Sequence, residues 1–404
     1  MTGWTKRAAL FGALALVVGA VAAAATASTD VRSGTFAGTV KVGFIYSRTG
    51  ALAGFGQEEY EGYLYGLLYA RQHLKNCGGY KIQTTFVDDQ TSAASAVTAA
   101  KDLIGQGYHI LAGSVSSGVA LQVAPIADQN NVLFISGAAA SDAVTGVNRH
   151  TFRAGRQSYQ DVMTARNILG TKATGKKIVV FAEDTAFGAS NFAAVSAIFG
   201  AKGHTVSKLL VPFQAADLTP YAQQLKNAHA DLVFVAWAGS NAAAMWQALD
   251  QQGVLDSTTI TTGLPDRVTY PTLGPLVRGV KLLSHYVYQA PKNAINTWLV
   301  KAMKKNNEVP DLFTPDGLNM ALMVCRAVAK AGGDGNVDKL ISSLEGWRFN
   351  AVKGIERIRP SDHALTQPMF AVQLVKQSNG NYEPKVLATY SSGLTQPPVT
   401  PFPK

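Results

Sequence analysis

Residues 109–135 read HILAGSVSSGVALQVAPIADQNNVLFI, and this stretch indicates the fold class. His109–Gly113 is a short apolar run that predicts a strand, Ala120–Gln129 predicts a helix, and Val132–Ile135 predicts a second strand. Strands this short and apolar, separated by a helix, are typical of a parallel sheet whose two faces are both covered. The stretch therefore predicts one strand–helix–strand unit of an α/β protein.

The same alternation extends to both sides of this stretch. It runs from the strand Val42–Tyr46 to Ile135, and it restarts between Lys177–Ala182 and Ile260–Thr262. Two such units predict an α/β fold of two doubly wound parallel-sheet lobes. Ligands of open α/β sheets bind outside the carboxyl ends of the strands, so we expect the site in a cleft between the lobes. A late strand is predicted over Phe370–Val375, and the Pro-rich tail, residues 393–404, is predicted to be extended or disordered.

The first residues of the chain resemble an export signal. Lys6 and Arg7 precede an uncharged run, Ala8–Ala25, which ends in the small-residue site Ala25-Thr26-Ala27. This order predicts a secretory signal peptide over residues 1–27 and a periplasmic or extracellular protein. The alternative is a retained membrane anchor, because Ala8–Ala25 just reaches spanning length, although its Ala and Gly residues make a weak span. No cysteine stands at the end of the run, so no thiol there could carry a lipid.

Composition and charge exclude several other classes. The 404 residues are 47% hydrophobic and 15% charged, which is too apolar for intrinsic disorder. The formal net charge is +10, but the densest basic cluster is only Lys301, Lys304 and Lys305 on one predicted helix. A solvated basic surface is therefore favoured over nucleic-acid binding.

Residue patterns typical of metal sites and of nucleophilic catalysis are absent from the sequence. None of the seven histidines pairs with another at the i, i+4 spacing of a zinc helix. Gly113–Gly118 lies between a strand and a helix, but it lacks the Gly-x-Ser-x-Gly spacing of a nucleophile elbow. We therefore predict no metal, no cofactor and no enzymatic activity. Cys77 and Cys325 could form a disulfide in an oxidising compartment, and a free, buried Cys325 is the alternative.

Polar groups at the predicted strand ends favour an anionic ligand. Ser116 and Ser117 stand where a helix presents free N–H groups and its positive dipole end to the cleft, which suits a carboxylate. The alternative is that Ser117 only caps the helix. Arg48, after the first strand, adds a cation.

Aromatic side chains follow strands of the second unit. Phe187 and Trp237 stand at the same predicted edge, although each could instead belong to the core. A cleft that is polar on one wall and aromatic on the other suits a small organic molecule with a charged head and an apolar body.

Together these segments resemble the Leu/Ile/Val-binding protein family, the solute receptors of ABC importers with the type I periplasmic binding protein fold. The resemblance runs from about Lys41 to Val375 and is carried by the order and spacing of several stretches. These stretches are Val42–Gly62, Asp88-Asp89, Ser95–Gly113, Ser116–Ser136, Asp217–Tyr221, Gln224–Lys226, Asp231–Gly239 and Arg359–His363.

The resemblance implies two lobes joined by a three-strand hinge, and a membrane permease and an ATPase as partners. The crossovers are expected near His150–Gly155, Ser284–Ala290 and Ile358–Thr366. We accordingly expect the first lobe to comprise residues 38–154 and 288–360, and the second lobe residues 155–287 and 361–392.

Four family binding positions match residues of this sequence. By resemblance, Ser117 matches the serine that holds the ligand carboxylate, and the backbone carbonyl of Ala138 matches the one that accepts from the ammonium. Phe55 and Phe187 match the aromatic positions of the two lobes.

Three other positions depart from the family pattern. The threonine that contacts both head groups of an amino acid is Ala140 here. The second-lobe tyrosine falls at Ala238, with Trp237 beside it, and the glutamate that pairs with the ammonium falls at Pro265, with Asp266 next along the chain.

These departures leave two ligand classes open. A buried ammonium without a partner costs several kcal/mol, so an amino acid requires Asp266 to replace the missing glutamate. Otherwise an aromatic or alicyclic acid would bind Ser117, Arg48, Phe55, Phe187 and Trp237. We expect a substrate-binding protein of an ABC transporter, and the alternative is a ligand sensor of the same fold that regulates a partner without transport.

Overall fold

The computed structural model describes residues 36–170, 174–277 and 279–403. The predicted signal peptide lies outside these residues. Among the residues described, no helix is long and apolar enough to cross a membrane.

The first part of the chain forms a five-stranded parallel sheet in the order β2-β1-β3-β4-β5. Its elements are β1 (Gly38–Tyr46), α1 (Ala53–His73), the short left-handed turn α2 (Lys75–Gly79), β2 (Tyr80–Asp88), α3 (Ala93–Gly105), β3 (Ile110–Ala112), α4 (Ser117–Gln129), β4 (Leu133–Ser136) and β5 (Thr151–Arg153).

The second part forms a four-stranded parallel sheet in the order β7-β6-β8-β9. Its elements are α5 (Ser158–Leu169), β6 (Lys177–Glu183), α6 (Ala186–Val195, continued by a π-helical turn to Gly200), β7 (Thr205–Val211), α7 (Thr219–Asn227), β8 (Leu232–Ala236), α8 (Ala242–Gln251), α9 (Val254–Ser257), β9 (Thr259–Thr262), α10 (Tyr270–Leu273) and β10 (Leu282–Ser284).

The last part of the chain contributes helices and antiparallel strands that pack on or join the two parallel sheets. It contains α11 (Ala294–Lys304), α12 (Thr314–Ala331), α13 (Val337–Leu344), β11 (Arg348–Ala351), β12 (Gly354–Ile358), β13 (Leu365–Thr366), β14 (Met369–Lys376) and β15 (Tyr382–Tyr390). An antiparallel group, β10-β14-β15, joins the second sheet through a bridge between Gly263 and Leu283. A small antiparallel sheet, β11-β12-β13, packs into the core of the first.

Each parallel sheet has a core on both faces. The first sheet is covered by α1, α12 and α13 on one face and by α3 and α4 on the other. The second is covered by α7, α8 and β14 on one face and by α5 and α6 on the other. The predicted class, two doubly wound α/β lobes, is thereby confirmed. The chain passes between the sheets three times, after β5, after β10 and after β13.

Cys77 and Cys325 are joined by a disulfide. It links the turn after α1 to the middle of α12, so the alternative of a free Cys325 is wrong. Both residues are buried beside Ala70.

The Pro-rich tail is extended and packs against the body of the protein. The guanidinium of Arg359 donates to the carbonyl oxygens of Pro397 and Pro398, both at 2.8 Å. Its ion-pair partner Asp362 accepts from the backbone N–H of Thr400 at 3.0 Å. The hydrogen bonds therefore hold the tail against the turn between β12 and β13.

Candidate functional site

Two adjoining cavities, of about 250 and 350 Å³, lie between the parallel sheets. Their walls come from the loops that follow β1 to β5 of the first sheet and β6 to β9 of the second. The cavities thus lie at the carboxyl ends of the parallel strands, where open α/β sheets place ligands. Six residues line both of them: Leu52, Phe55, Arg156, Phe187, Ala238 and Phe313.

The polar wall of the smaller cavity is the beginning of α4. Ser116 is the N-cap, and its Oγ accepts from the backbone N–H of Val119 at 3.4 Å. The Oγ of Ser117 instead accepts from the backbone N–H of Ser141 at 3.1 Å. The capping hydroxyl therefore belongs to Ser116 rather than Ser117, and the Ser117 O–H remains able to donate into the cavity.

Aromatic rings form the other walls. Phe55 packs edge-to-face on Phe313, with ring centroids 4.8 Å apart. Trp237 is fixed by a 2.9 Å hydrogen bond from its Nε1 to Asn241 Oδ1, and its indole borders the larger cavity. Phe187 lies in the first turn of α6, two residues after the N-cap Thr185, and lines both cavities. The site combines a helix N-terminus with an apolar, aromatic interior.

A buried arginine that we did not predict lies where the two cavities meet. Arg156 stands on the first passage between the sheets, and its Nη1 donates to the carbonyl oxygen of Ala138 at 2.8 Å. Its Nε lies 3.3 Å from Asp161 Oδ2, and its guanidinium lies 5.4 Å from the centroid of the Phe313 ring. Burial raises the pKa of Asp161 to about 6, although Arg156 opposes that rise. The sequence offered one signal, an arginine immediately after the expected crossover His150–Gly155.

The backbone after β4 is already engaged by the protein. The N–H of Ala138 donates to Glu59 Oε1 at 2.6 Å, while its carbonyl accepts from Arg156. The carbonyl of Ala140 accepts from the backbone N–H of Ser158 at 2.7 Å and from its Oγ at 3.0 Å. The carbonyl that the resemblance assigns to an ammonium therefore has a cationic partner within the chain.

Three carboxyl groups lie at or next to residues that line the larger cavity. Asp266 lines it, and burial raises the pKa of its carboxyl. Asp311, whose pKa burial raises to about 6, accepts from the backbone N–H of Arg267 at 2.7 Å. Glu58 accepts from the backbone N–H of Phe313 at 3.0 Å, and burial raises its pKa well above the usual range. Asp266 is the member of this group that borders the cavity.

His285 is a second residue that sequence reasoning did not select. It is buried on the larger cavity, next to Phe313, and its Nε2 has no hydrogen-bond partner among the residues described. Burial and the charges of Arg156 and Lys353 hold the pKa of the imidazole well below its usual range. The ring is therefore neutral near pH 7, and no pattern in the sequence distinguishes it from the other histidines.

The structure brings together eight of the nine residues selected from the sequence. Phe55, Ser116, Ser117, Ala138, Ala140 and Phe187 line the smaller cavity, and Phe55, Phe187, Trp237 and Asp266 line the larger. Arg48 is not among them: it lies in the exposed turn after β1, where its backbone N–H donates to Asp88 Oδ1 at 3.0 Å. The cation at the cleft is Arg156.

Comparison with known proteins supports the resemblance seen in the sequence. The family profile described as periplasmic binding protein matches residues 39–381. A curated relative, the Leu/Ile/Val-binding protein homolog 6 of Brucella melitensis, is 24% identical over 89% of this chain and 93% of its own length.

Solved structures share the fold of this chain. An ABC-type branched-chain amino acid transporter protein of Rhodopseudomonas palustris is 29% identical, with a TM-score of 0.74 over 90% of this chain and all of its own. A solute-binding protein of R. palustris in complex with 4-hydroxybenzoate is 21% identical, with a TM-score of 0.79 over 87% of this chain and 97% of its own. The predicted resemblance is confirmed.

Proposed function

Because the chain belongs to the periplasmic binding protein family, we propose that it is the extracytoplasmic substrate-binding protein of an ABC transporter. It captures a small carboxylate-bearing solute between its two lobes, without covalent chemistry. The observation that carries this proposal is the pair of adjoining cavities, which strand-end loops of both sheets line together. A ligand that contacts both lobes at once stabilises their closed arrangement.

The chemistry of the cleft supports an anionic head group and an apolar body. The beginning of α4 supplies N–H groups and the Ser117 hydroxyl, and Arg156 supplies a charge. Phe55, Phe187 and Trp237 supply apolar area. A branched-chain or other amino acid and an aromatic or alicyclic acid are the two candidate classes, and structural relatives carry names or ligands of both kinds.

The proposed function includes export of the protein by a signal peptide and partner proteins in the membrane. A signal peptide over residues 1–27 would deliver the protein to the periplasm or cell exterior. There it would pass its solute to membrane permease and ATPase subunits. The proposed lobes are residues 38–154 with 288–360, and residues 155–287 with 361–392.

A thermal-shift screen of the chain from Ser28 onward tests the binding function. Amino acids, aromatic acids and alicyclic acids are added one at a time, and a ligand specific for the folded protein raises the melting temperature. Ser117→Ala should weaken binding of the responding solute about fivefold, since one neutral hydrogen bond is worth about 1 kcal/mol. Ser342→Ala, at an exposed position on α13, is the matched control.

Two further outcomes separate the alternatives. A sensor of the same fold would bind the solute, but deleting its gene would leave uptake of the labelled solute unchanged. An enzyme would convert the solute, so turnover that disappears in Ser117→Ala would contradict the proposal.

A further inference from the structure

The guanidinium of Arg156 has unused hydrogen-bonding capacity at the cleft. Nη1 donates to Ala138, whereas Nε faces Asp161 at 3.3 Å without the alignment of a hydrogen bond. In the parts of the chain that the structure describes, Nη2 donates to no acceptor. A buried guanidinium binds strongly to planar anions, because its parallel N–H groups match the two oxygens of a carboxylate.

A second polar group with unused hydrogen-bonding capacity borders the same space. The Nε2 of His285 is buried without a partner among the residues described, and the His285 side chain lines the larger cavity, as Arg156 does. Arg156 and His285 come from different passages between the sheets and both pack against Phe313. Two such groups on one cavity indicate a polar head of a ligand at this point, since buried polar atoms are almost always paired.

The same geometry disfavours an ammonium. The resemblance assigns the carbonyl oxygen of Ala138 to the ammonium of a ligand. In this structure that oxygen accepts from Arg156 at 2.8 Å, so an ammonium bound there would lie beside a guanidinium. The carbonyl of Ala140 is likewise engaged by Ser158. Asp266, the remaining residue selected for an ammonium, borders the larger cavity and lies in the loop after β9.

We propose that Arg156 binds the carboxylate of an aromatic or alicyclic acid that carries no ammonium, with the ring of the acid between Phe55, Phe313 and Trp237. The inference rests on the proposed function, because it assigns a ligand class to the same cleft. In this arrangement Arg156 determines the specificity for an acid over an amino acid. Ser117 and the N-terminus of α4 contribute further hydrogen-bond donors at the smaller cavity.

Calorimetric titration of the purified chain tests this assignment. The probes are benzoate, 4-hydroxybenzoate and cyclohexanecarboxylate, compared with L-leucine and L-phenylalanine. We expect at least one of the acids to bind about tenfold or more tightly than either amino acid. Benzamide, which has the shape of benzoate without its charge, should bind about tenfold to a hundredfold more weakly than benzoate.

Variants of Arg156 locate the charge contact. Arg156→Met leaves Asp161 buried and unpaired, so the test variant is the double substitution Arg156→Met with Asp161→Asn, whose folding is checked by circular dichroism. It should lose about tenfold to a hundredfold in affinity for the acid that binds, and Arg156→Lys should lose less. Arg48→Met, which removes an exposed cation outside the cleft, should bind as the wild type does.

The outcomes distinguish this inference from the proposed function. Tighter binding of leucine than of any acid, particularly if Asp266→Asn abolishes it, would overturn the inference and leave the receptor function standing. Equal binding of benzamide and benzoate would also overturn it, without needing a variant. Failure of every carboxylate and amino acid to bind would contradict the proposed function itself.

Discussion

At the scale of single residues, buried charged groups lie between α12 and the β11–β12 hairpin, which both pack on the first parallel sheet. Lys353 and Asp316 form an ion pair of 2.8 Å with both side chains fully buried. Glu356 lies beside them and accepts from Asn319 Nδ2 at 2.8 Å, while its other oxygen has no partner among the residues described. Burial raises the pKa of Glu356 to about 7, against the attraction of Lys353. A proton on Glu356 therefore stabilises the folded state.

We expect Glu356→Gln to change how stability depends on pH. Between the ordinary pKa of 4.5 and the raised value of about 7, the folded protein holds a proton that the unfolded chain releases, so the free energy of unfolding falls as pH rises. From about pH 5 to about pH 8, the variant should gain about 2 kcal/mol relative to the wild type. Urea unfolding across this range measures it, with the exposed Asp256→Asn as the control. A wild-type curve parallel to that of Glu356→Gln would contradict it.

At the scale of elements, the pairing of α1 with α12 depends on glycines. A Cβ at Gly62 would lie 2.0 Å from the carbonyl oxygen of Thr314, and one at Gly317 would lie 1.9 Å from that of Glu59. The helix backbones therefore approach more closely than any side chain permits. Because α1 follows β1 directly and carries Phe55, this packing also positions one wall of the cleft.

Gly62→Ala should destabilise the protein by about 1–3 kcal/mol, because the added methyl group must push the two helices apart. Gly54→Ala on the same helix is the matched control, since no atom lies within 4 Å of the added Cβ. That control should be neutral or stabilising by about 0.5–1 kcal/mol, the usual gain from replacing a helical glycine. Chemical denaturation measures both, and equal midpoints for the two variants would exclude this account of the packing.

The disulfide between α2 and α12 supports the same pair of helices. Replacing both cysteines, Cys77→Ser with Cys325→Ser, should lower the free energy of unfolding by about 2–4 kcal/mol. The reason is that the unfolded chain gains conformational entropy when the disulfide no longer closes a long loop in it. The check is thermal melting of the variant beside the wild type, with and without a reductant. Only the wild type should respond to the reductant, and a response of the variant would show that the reductant acts elsewhere.

At the scale of the whole molecule, the tail connects segments that are distant in sequence. Phe402 packs on His363, with ring centroids 4.7 Å apart, and His363 stacks on Phe152 of β5 at 3.6 Å. Together with Arg359 and its hydrogen bonds, these contacts place the tail against both β5 and the β12–β13 turn. Two of the three passages between the sheets begin just after these segments.

Removing residues 397–404 should lower the free energy of unfolding by about 3 kcal/mol, because the buried Arg359 loses two acceptors and Asp362 loses a donor, at about 1 kcal/mol each. Val399→Ala, within the tail but 52% exposed, should change stability by less than about 0.5 kcal/mol. Differential scanning calorimetry compares the three proteins. Identical melting of the shortened and complete chains would contradict the packed tail.

The sequence was sufficient to predict the strands of the two parallel sheets, but not all of the antiparallel strands that follow them. The parallel strands are buried apolar runs, such as β8, whose residues are all buried, and such runs are visible in a sequence. β11 and β15 each have exposed residues. The hydrophobic pattern of such strands is weaker, because the residues that face solvent are not required to be apolar. The structure confirms the late strand near Phe370–Val375, whereas its partner β15 was not predicted.

The candidate site shows the same limit. Residues at strand ends could be selected because parallel strands bring their carboxyl ends to one edge. The choice between Arg48 and Arg156 could not be made, since it depends on which side chain the fold turns inward. The choice of Ser116 over Ser117 as the cap required the first residue of α4, which sequence patterns locate only to within a few positions.

The bond between Cys77 and Cys325 closes a covalent ring that contains every strand from β2 to β10. A protease that cuts once in the exposed loop at residues 212–217 would open this ring without separating its pieces. On an electrophoresis gel run without thiols, the nicked protein would still hold together as one band. Dithiothreitol would release two fragments, so the chain can keep its mass after a cleavage that divides its backbone.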